Sequence, residues 1–100
     1  MIELNRVVGF EWDEGNAQKS ERKHGITQAE AEQLFSNPPL LFADDVSHSE
    51  TEPRFHALGR TVAGRLIHVT FTLRGDSTLI RVISARLMNR KERRRYEEEA

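Results

Sequence analysis

Residues 54–86 read RFHALGRTVAGRLIHVTFTLRGDSTLIRVISAR, and the spacing of their turns decides the fold. Three runs rich in β-branched and aromatic residues, RFHALGRTV, RLIHVTFTL and LIRVISAR, are separated by Ala63-Gly64 and by RGDST. Connections this short fit only antiparallel hairpins, because a parallel pair needs a crossover of a dozen residues or more. In the middle run Ile67, Val69, Phe71 and Leu73 share one face, and Leu66, His68, Thr70 and Thr72 the other. One face therefore belongs to a core and the other is mostly polar. RGDS between two strands is read as a hairpin turn, and the two glycines of GRTVAGR lack the strand-to-helix setting of a phosphate loop.

Working outward from this sheet, VVGFEW reads as a short opening strand. Asp13 is the N-cap of a helix over Glu14 to Lys23, which stops at Gly25 because only glycine takes the left-handed conformation there cheaply. In ITQAEAEQLF, Thr27 and Glu30 form a capping box, Ile26 and Ala31 occupy staple positions, and Leu34 with Phe35 supply an apolar face. Asn37, Pro38 and Pro39 end that helix. LLFA is a short apolar run, DDVSHSETEP a polar loop, and Asn89 with Glu92 opens a terminal helix over Arg90 to Glu99. The expectation is an α+β fold: an antiparallel β-sheet with two N-terminal helices and a C-terminal helix, in one domain spanning residues 1–100.

Composition excludes several classes of function. The chain has no cysteine, so disulfides and thiolate metal sites are absent. No apolar run approaches the ~20 residues of a membrane span, and the start of the chain does not read as a secretion signal. The expected location is the cytoplasm, with no membrane partner. In DDVSHSE, Asp44, Asp45, His48 and Glu50 could be taken for metal ligands, but their spacing matches no specific metal motif. No metal site and no cofactor is expected.

A net charge of −1 conceals a division: residues 1–52 carry 11 acidic and 4 basic side chains, and residues 53–100 carry 5 and 11. Seven cations fall between Arg81 and Arg95. Arg93, Arg94 and Arg95 can pair with Glu97, Glu98 and Glu99 at i,i+4, each pair contributing about 0.2–0.5 kcal/mol. That explanation does not extend to Arg90 and Lys91, which lie in a first helical turn where the dipole disfavours cations, nor to Arg81 and Arg86 on the preceding strand. Such a cluster calls for an anion, and a nucleic-acid backbone fits because guanidinium matches phosphate bidentately. Lys23 and His24, in RKHG, stand at a helix C-terminus, where the dipole favours cations and raises imidazole basicity.

The stretches FEWDEGNAQKSERKHGIT, HSETEPRFHALGRTVAGRLIHVTFT and RGDSTLIRVISARLMNRKERRRYEE resemble, in order and spacing, the BrnT family of ribonuclease toxins from bacterial type II toxin–antitoxin modules. The most specific part is R-x-I-S-A-R-x-x-x-R-x-E-R-x-x-Y-E, from Arg81 to Glu97. The resemblance implies a RelE-like fold with helices on one face of the sheet and RNA on the other. It further implies an RNA-cleaving activity that inhibits translation, and a BrnA-type antitoxin whose ribbon-helix-helix domain would link the toxin indirectly to operator DNA.

Metal-independent cleavage of RNA uses the 2′-hydroxyl as nucleophile, so the protein must supply a base, an acid and cations for the phosphorane charge. The candidates are His24 or Lys23 as base, Arg81 and Arg86 as charge stabilisers, and Tyr96 or a cation as proton donor. Arg74, Arg90 and Arg94 would hold flanking phosphates, and Arg54 or His68 complete the site. His56, on a strand without cationic sequence neighbours, is expected to matter less than His24. A non-catalytic RNA-binding or co-repressor module would use the same basic patch.

Overall fold

In the computed structural model, which describes residues 4–42, 47–48 and 53–100, the chain opens with strand β1 (Gly9–Trp12) and helix α1 (Glu14–His24). Helix α2 (Gln28–Gln33) and strands β2 (Leu41–Phe42), β3 (Ser47–His48), β4 (Pro53–Arg60), β5 (Leu66–Arg74) and β6 (Leu79–Leu87) follow, and helix α3 (Arg90–Glu99) closes the chain. The main sheet has the order β1-β6-β5-β4-β2, and β3 pairs with the start of β4. Among the described residues no helix is long and apolar enough to cross a membrane.

The local signals act as expected. Asp13 Oδ1 accepts from the Gly15 amide at 2.8 Å, and Gly25 ends α1 at φ +67°. Both capping boxes are formed, at Thr27 with Glu30 and at Asn89 with Glu92. The two hairpins pair antiparallel as read, and the RGDST turn places Gly75, Asp76 and Ser77 at positive φ.

Three features differ from the sequence reading. β1 joins β6 in parallel, so the sheet is mixed; the α1–β5 segment between the two strands provides the long connection that parallel pairing needs. Ser47–His48, within the stretch read as a loop, pairs as a short strand with Pro53 and Arg54, while Asp44, Asp45 and Glu50 lie outside the described residues. Both sheet faces also carry a helix. On the first, Ile26, Ala31 and Leu34 pack with Ile67, Val69, Phe71, Ile80, Val82 and Ala85. On the second, Met88 and Tyr96 pack with Leu58 and Leu66, so α3 covers one end of that face and leaves the rest to polar side chains.

A β-bulge sets the directions of the β6 side chains. Thr70 pairs with Ser84 but Phe71 with Val82, which leaves Ile83 as the extra residue. Strict alternation would send Arg81 and Arg86, five residues apart, to opposite faces. With the bulge, Val82 and Ala85 both enter the core, and Arg81, Ser84 and Arg86 share the second face with His68, Thr70 and Thr72.

Candidate active site

Three adjacent strands and one helix end bring the polar side chains of the second face together. β4 contributes His56, whose backbone partner is Thr70 on β5; His68 is paired with Leu58 on one side and Arg86 on the other. This register sets the two imidazoles diagonally across β4 and β5, with ring centroids 5.3 Å apart. Thr70 Oγ1 lies 3.0 Å from His56 Nδ1. Beyond His68, Arg86 donates from both terminal nitrogens to Glu92, Nη1 to Oε1 at 2.8 Å and Nη2 to Oε2 at 3.0 Å. Glu92 Oε1 also accepts from the Asn89 amide at 2.9 Å, so the capping box that starts α3 also presents a carboxylate to the strand.

The electrostatics follow from this packing. Burial lowers the basicity of His68, and the Arg86 guanidinium lowers it further, with Glu92 opposing and His56 adding to the effect. His68 is therefore neutral at neutral pH. Among the described residues its Nδ1 is buried with no hydrogen-bond partner. For Glu92, burial works to raise the pKa, but the bonds from Arg86 and from the Asn89 amide outweigh it and hold the carboxyl below its ordinary range. Arg86 is in turn raised, chiefly by its bond to Glu92. Two imidazoles beside a fixed guanidinium can exchange protons with a substrate and stabilise negative charge on it.

Of the residues singled out in the sequence, the structure brings His68 and Arg86 together. Arg81 stands apart: its backbone partner is Thr72, four positions along β5 from the partner of Arg86, about 13 Å at 3.3 Å per residue. Its guanidinium lies 3.4 Å from both Glu11 and Asp13, joining β1 to the start of α1. The premise that Arg81 and Arg86 lack protein partners is corrected by these pairs. Tyr96 is 5% exposed, and its hydroxyl donates to the Pro39 carbonyl at 2.6 Å; burial raises its pKa. Lys23 and His24 are exposed at the end of α1, one turn past Ser20, whose hydroxyl accepts from the Ala85 amide next to Arg86. Arg54 is exposed on β4 two residues before His56, and Arg74 is half-buried at the far end of β5. Arg90 and Arg94 are exposed on α3, where with Arg93 they line a shallow depression bordered by Glu97 and Glu98. Of the three i,i+4 pairs anticipated on that helix, Arg95–Glu99 is formed, at 3.1 Å.

Sequence reading ranked His56 below His24 and passed over Thr70 and the second role of Glu92. His56, read as a strand residue without cationic sequence neighbours, stands with its ring centroid 5.3 Å from that of His68. Hairpin register carried the missing signal, since a turn at Ala63-Gly64 places residues 56 and 68 on one face and one pair apart.

A mixed sheet that presents imidazole and guanidinium groups on one face, beside an arginine-rich helix, defines a class of small α+β proteins equipped to handle phosphodiesters. The chain belongs to the family described as the ribonuclease toxin BrnT of type II toxin–antitoxin systems, whose family model matches residues 12–92. It is also similar to the crystal structure of the Brucella abortus ribonuclease toxin, BrnT, with 27% sequence identity and a TM-score of 0.59, covering 84% of this chain and 100% of that one. Comparison with curated proteins found no match. Family membership implies ribonuclease activity, an RNA substrate and an antitoxin partner.

Proposed function

We propose that this chain is a metal-independent endoribonuclease whose active site is the His56–His68–Arg86 cluster. The single observation that carries the proposal is the 5.3 Å imidazole pair set beside an arginine on an otherwise polar sheet face. Cleavage would proceed by attack of the 2′-hydroxyl on the adjacent phosphate. His68, held neutral by burial and by Arg86, takes the hydroxyl proton at Nε2, and His56 returns a proton to the departing 5′-oxygen. Arg86 stabilises the phosphorane charge. The products are a 2′,3′-cyclic phosphate and a 5′-hydroxyl.

Arg54 on β4, Arg90 and Arg94 on α3, and Arg74 at the far end of β5 would hold flanking phosphates. Lys23 would provide a further cation, and His24 a further imidazole, on the helix bonded to β6 through Ser20. A radius of gyration of 12.7 Å, close to the ~13 Å expected of a 100-residue domain, supports reading residues 1–100 as one toxin domain. The partner we propose is a BrnA-type ribbon-helix-helix antitoxin that covers the cationic surface around Arg86 and Arg90 and links the toxin to operator DNA. The test is incubation of purified protein with RNA in EDTA: 2′,3′-cyclic ends are expected, whereas binding without cleavage would favour a non-catalytic RNA-binding or co-repressor module.

A further inference from the structure

We infer that Glu92 is a positioning residue for the cleavage reaction, fixing the Arg86 guanidinium against His68, over and above its part in starting α3. The inference rests on the proposed active site. Its geometry has three parts. First, the carboxylate is set before Arg86 meets it, because Glu92 Oε1 accepts the Asn89 amide while the Glu92 amide donates to Asn89 Oδ1 at 2.8 Å. Second, that carboxylate takes both terminal nitrogens of Arg86, at 2.8 and 3.0 Å, which fixes the plane of the guanidinium as a single bond would not. Third, Arg86 is the backbone partner of His68, so fixing its plane also fixes the charge that faces the imidazole.

A cap alone does not require this arrangement. The capping box at Thr27 works with Glu30, whose carboxylate reaches Arg65, away from the His56–His68 cluster. At Asn89 the same local device carries its carboxylate to the cluster through a residue six positions earlier in the chain. Both partners are partly shielded, with side-chain exposures of 37% for Arg86 and 20% for Glu92, so the pair is not dispersed in bulk water. An arginine has rotamer entropy to lose on being fixed, and in this site it is already fixed before substrate arrives.

The charged and titratable groups facing His68 are His56 from β4, Arg86 from β6 and Glu92 from α3; of these Glu92 alone raises its basicity. Removing the carboxylate therefore has two consequences: Arg86 loses its fixed plane, and His68 becomes still less basic.

Glu92→Gln separates the two roles, because glutamine also serves at this position of a capping box but cannot offer two charged oxygens to arginine. For the full-length protein acting on a short RNA, the variant is expected to lose about 100-fold in kcat, as for a catalytic group displaced by roughly 1 Å, with KM little changed. The acid limb of its pH–rate profile should move to lower pH. Asn89→Ala, which weakens the helix start and leaves the carboxylate in place, should melt earlier while retaining the parental acid limb. Parental kcat and acid limb in Glu92→Gln would overturn the inference, as would an Asn89→Ala variant that reproduces the whole Glu92→Gln effect. Arg86→Ala keeps the two levels distinct: full activity in that variant removes the active-site proposal itself, while an inactive Arg86→Ala beside an unimpaired Glu92→Gln removes only the role of Glu92.

Discussion

At the scale of single residues, similar side chains have different duties. Arg81 and Arg86 both come from β6 and point to the same face, but Arg81 is bound at a corner by Glu11 and Asp13 while Arg86 is fixed beside an imidazole. Arg81→Ala is expected to lower thermal stability by an amount corresponding to about 0.2–1 kcal/mol, the range for partly exposed ion pairs. Arg86→Ala is expected to cost ~3–4 kcal/mol of transition-state stabilisation with the protein still folded. Melting curves and cleavage rates on the two variants check the division. Among the histidines, replacing His56 or His68 with alanine should reduce cleavage by about 10²–10⁴-fold, the usual contribution of a general acid or base, and His24→Ala should do less. Equal losses at His24 and His56 would move the site toward the end of α1. Tyr96→Phe removes one bond, to Pro39, at a cost of about 1 kcal/mol, and should leave the cleavage rate intact.

At the scale of elements, much of the fold could be read before any coordinates. Hairpin spacing, two capping boxes and Gly25 mark their elements because each is a local signal whose physical cause lies within a few residues, whereas α2 ends at Gln33, ahead of the Asn37-Pro38-Pro39 stop read from the sequence. What escaped depends on contacts between distant segments: the parallel docking of β1 on β6, the short β3 pairing and the packing of α3 on the second face. The bulge at Ile83 belongs with these, since its advantage appears only once Val82 and Ala85 must both reach the core. The candidate site was half legible for the same reason. Arg86 and His68 stand out by charge and strand position, whereas the pairing of His56 with His68 emerges only from register. Close approach of two elements also sets a prediction at Gly59, where a Cβ would come within 2.8 Å of Leu34 on the segment that follows α2. Gly59→Ala should destabilise the fold by about 1–3 kcal/mol, the usual cost of overpacking a core, which chemical denaturation would measure.

For the whole molecule, the charge division seen in the sequence is partly closed by folding. Arg65 pairs with Glu30 at 2.6 Å and Arg81 with Glu11 and Asp13, so two cations of the basic half are matched by acids of the other. Arg90, Arg93 and Arg94 stay exposed on α3, and a surface of this kind should make association with an antitoxin slow as salt rises. Stability should depend on pH in a defined direction. His68 is less basic folded than unfolded, so the unfolded chain binds its proton more readily, and stability should fall as pH drops below about 6.5. Glu92 and Glu30 are more acidic folded than unfolded, so their contribution is present above the ordinary carboxylate range and is lost as pH falls through it. Melting temperature followed from pH 8 to pH 3 should therefore only decline. The central claim, cleavage by the imidazole pair and Arg86, is tested most directly by mapping the ends of RNA treated in EDTA with the parent protein and with folded His56→Ala, His68→Ala and Arg86→Ala variants. Cleavage by the parent with 2′,3′-cyclic phosphate ends, and its collapse in all three variants, is the expected result. Undiminished cleavage by the three variants, or a parent protein that cuts only when a divalent metal is restored, would contradict it.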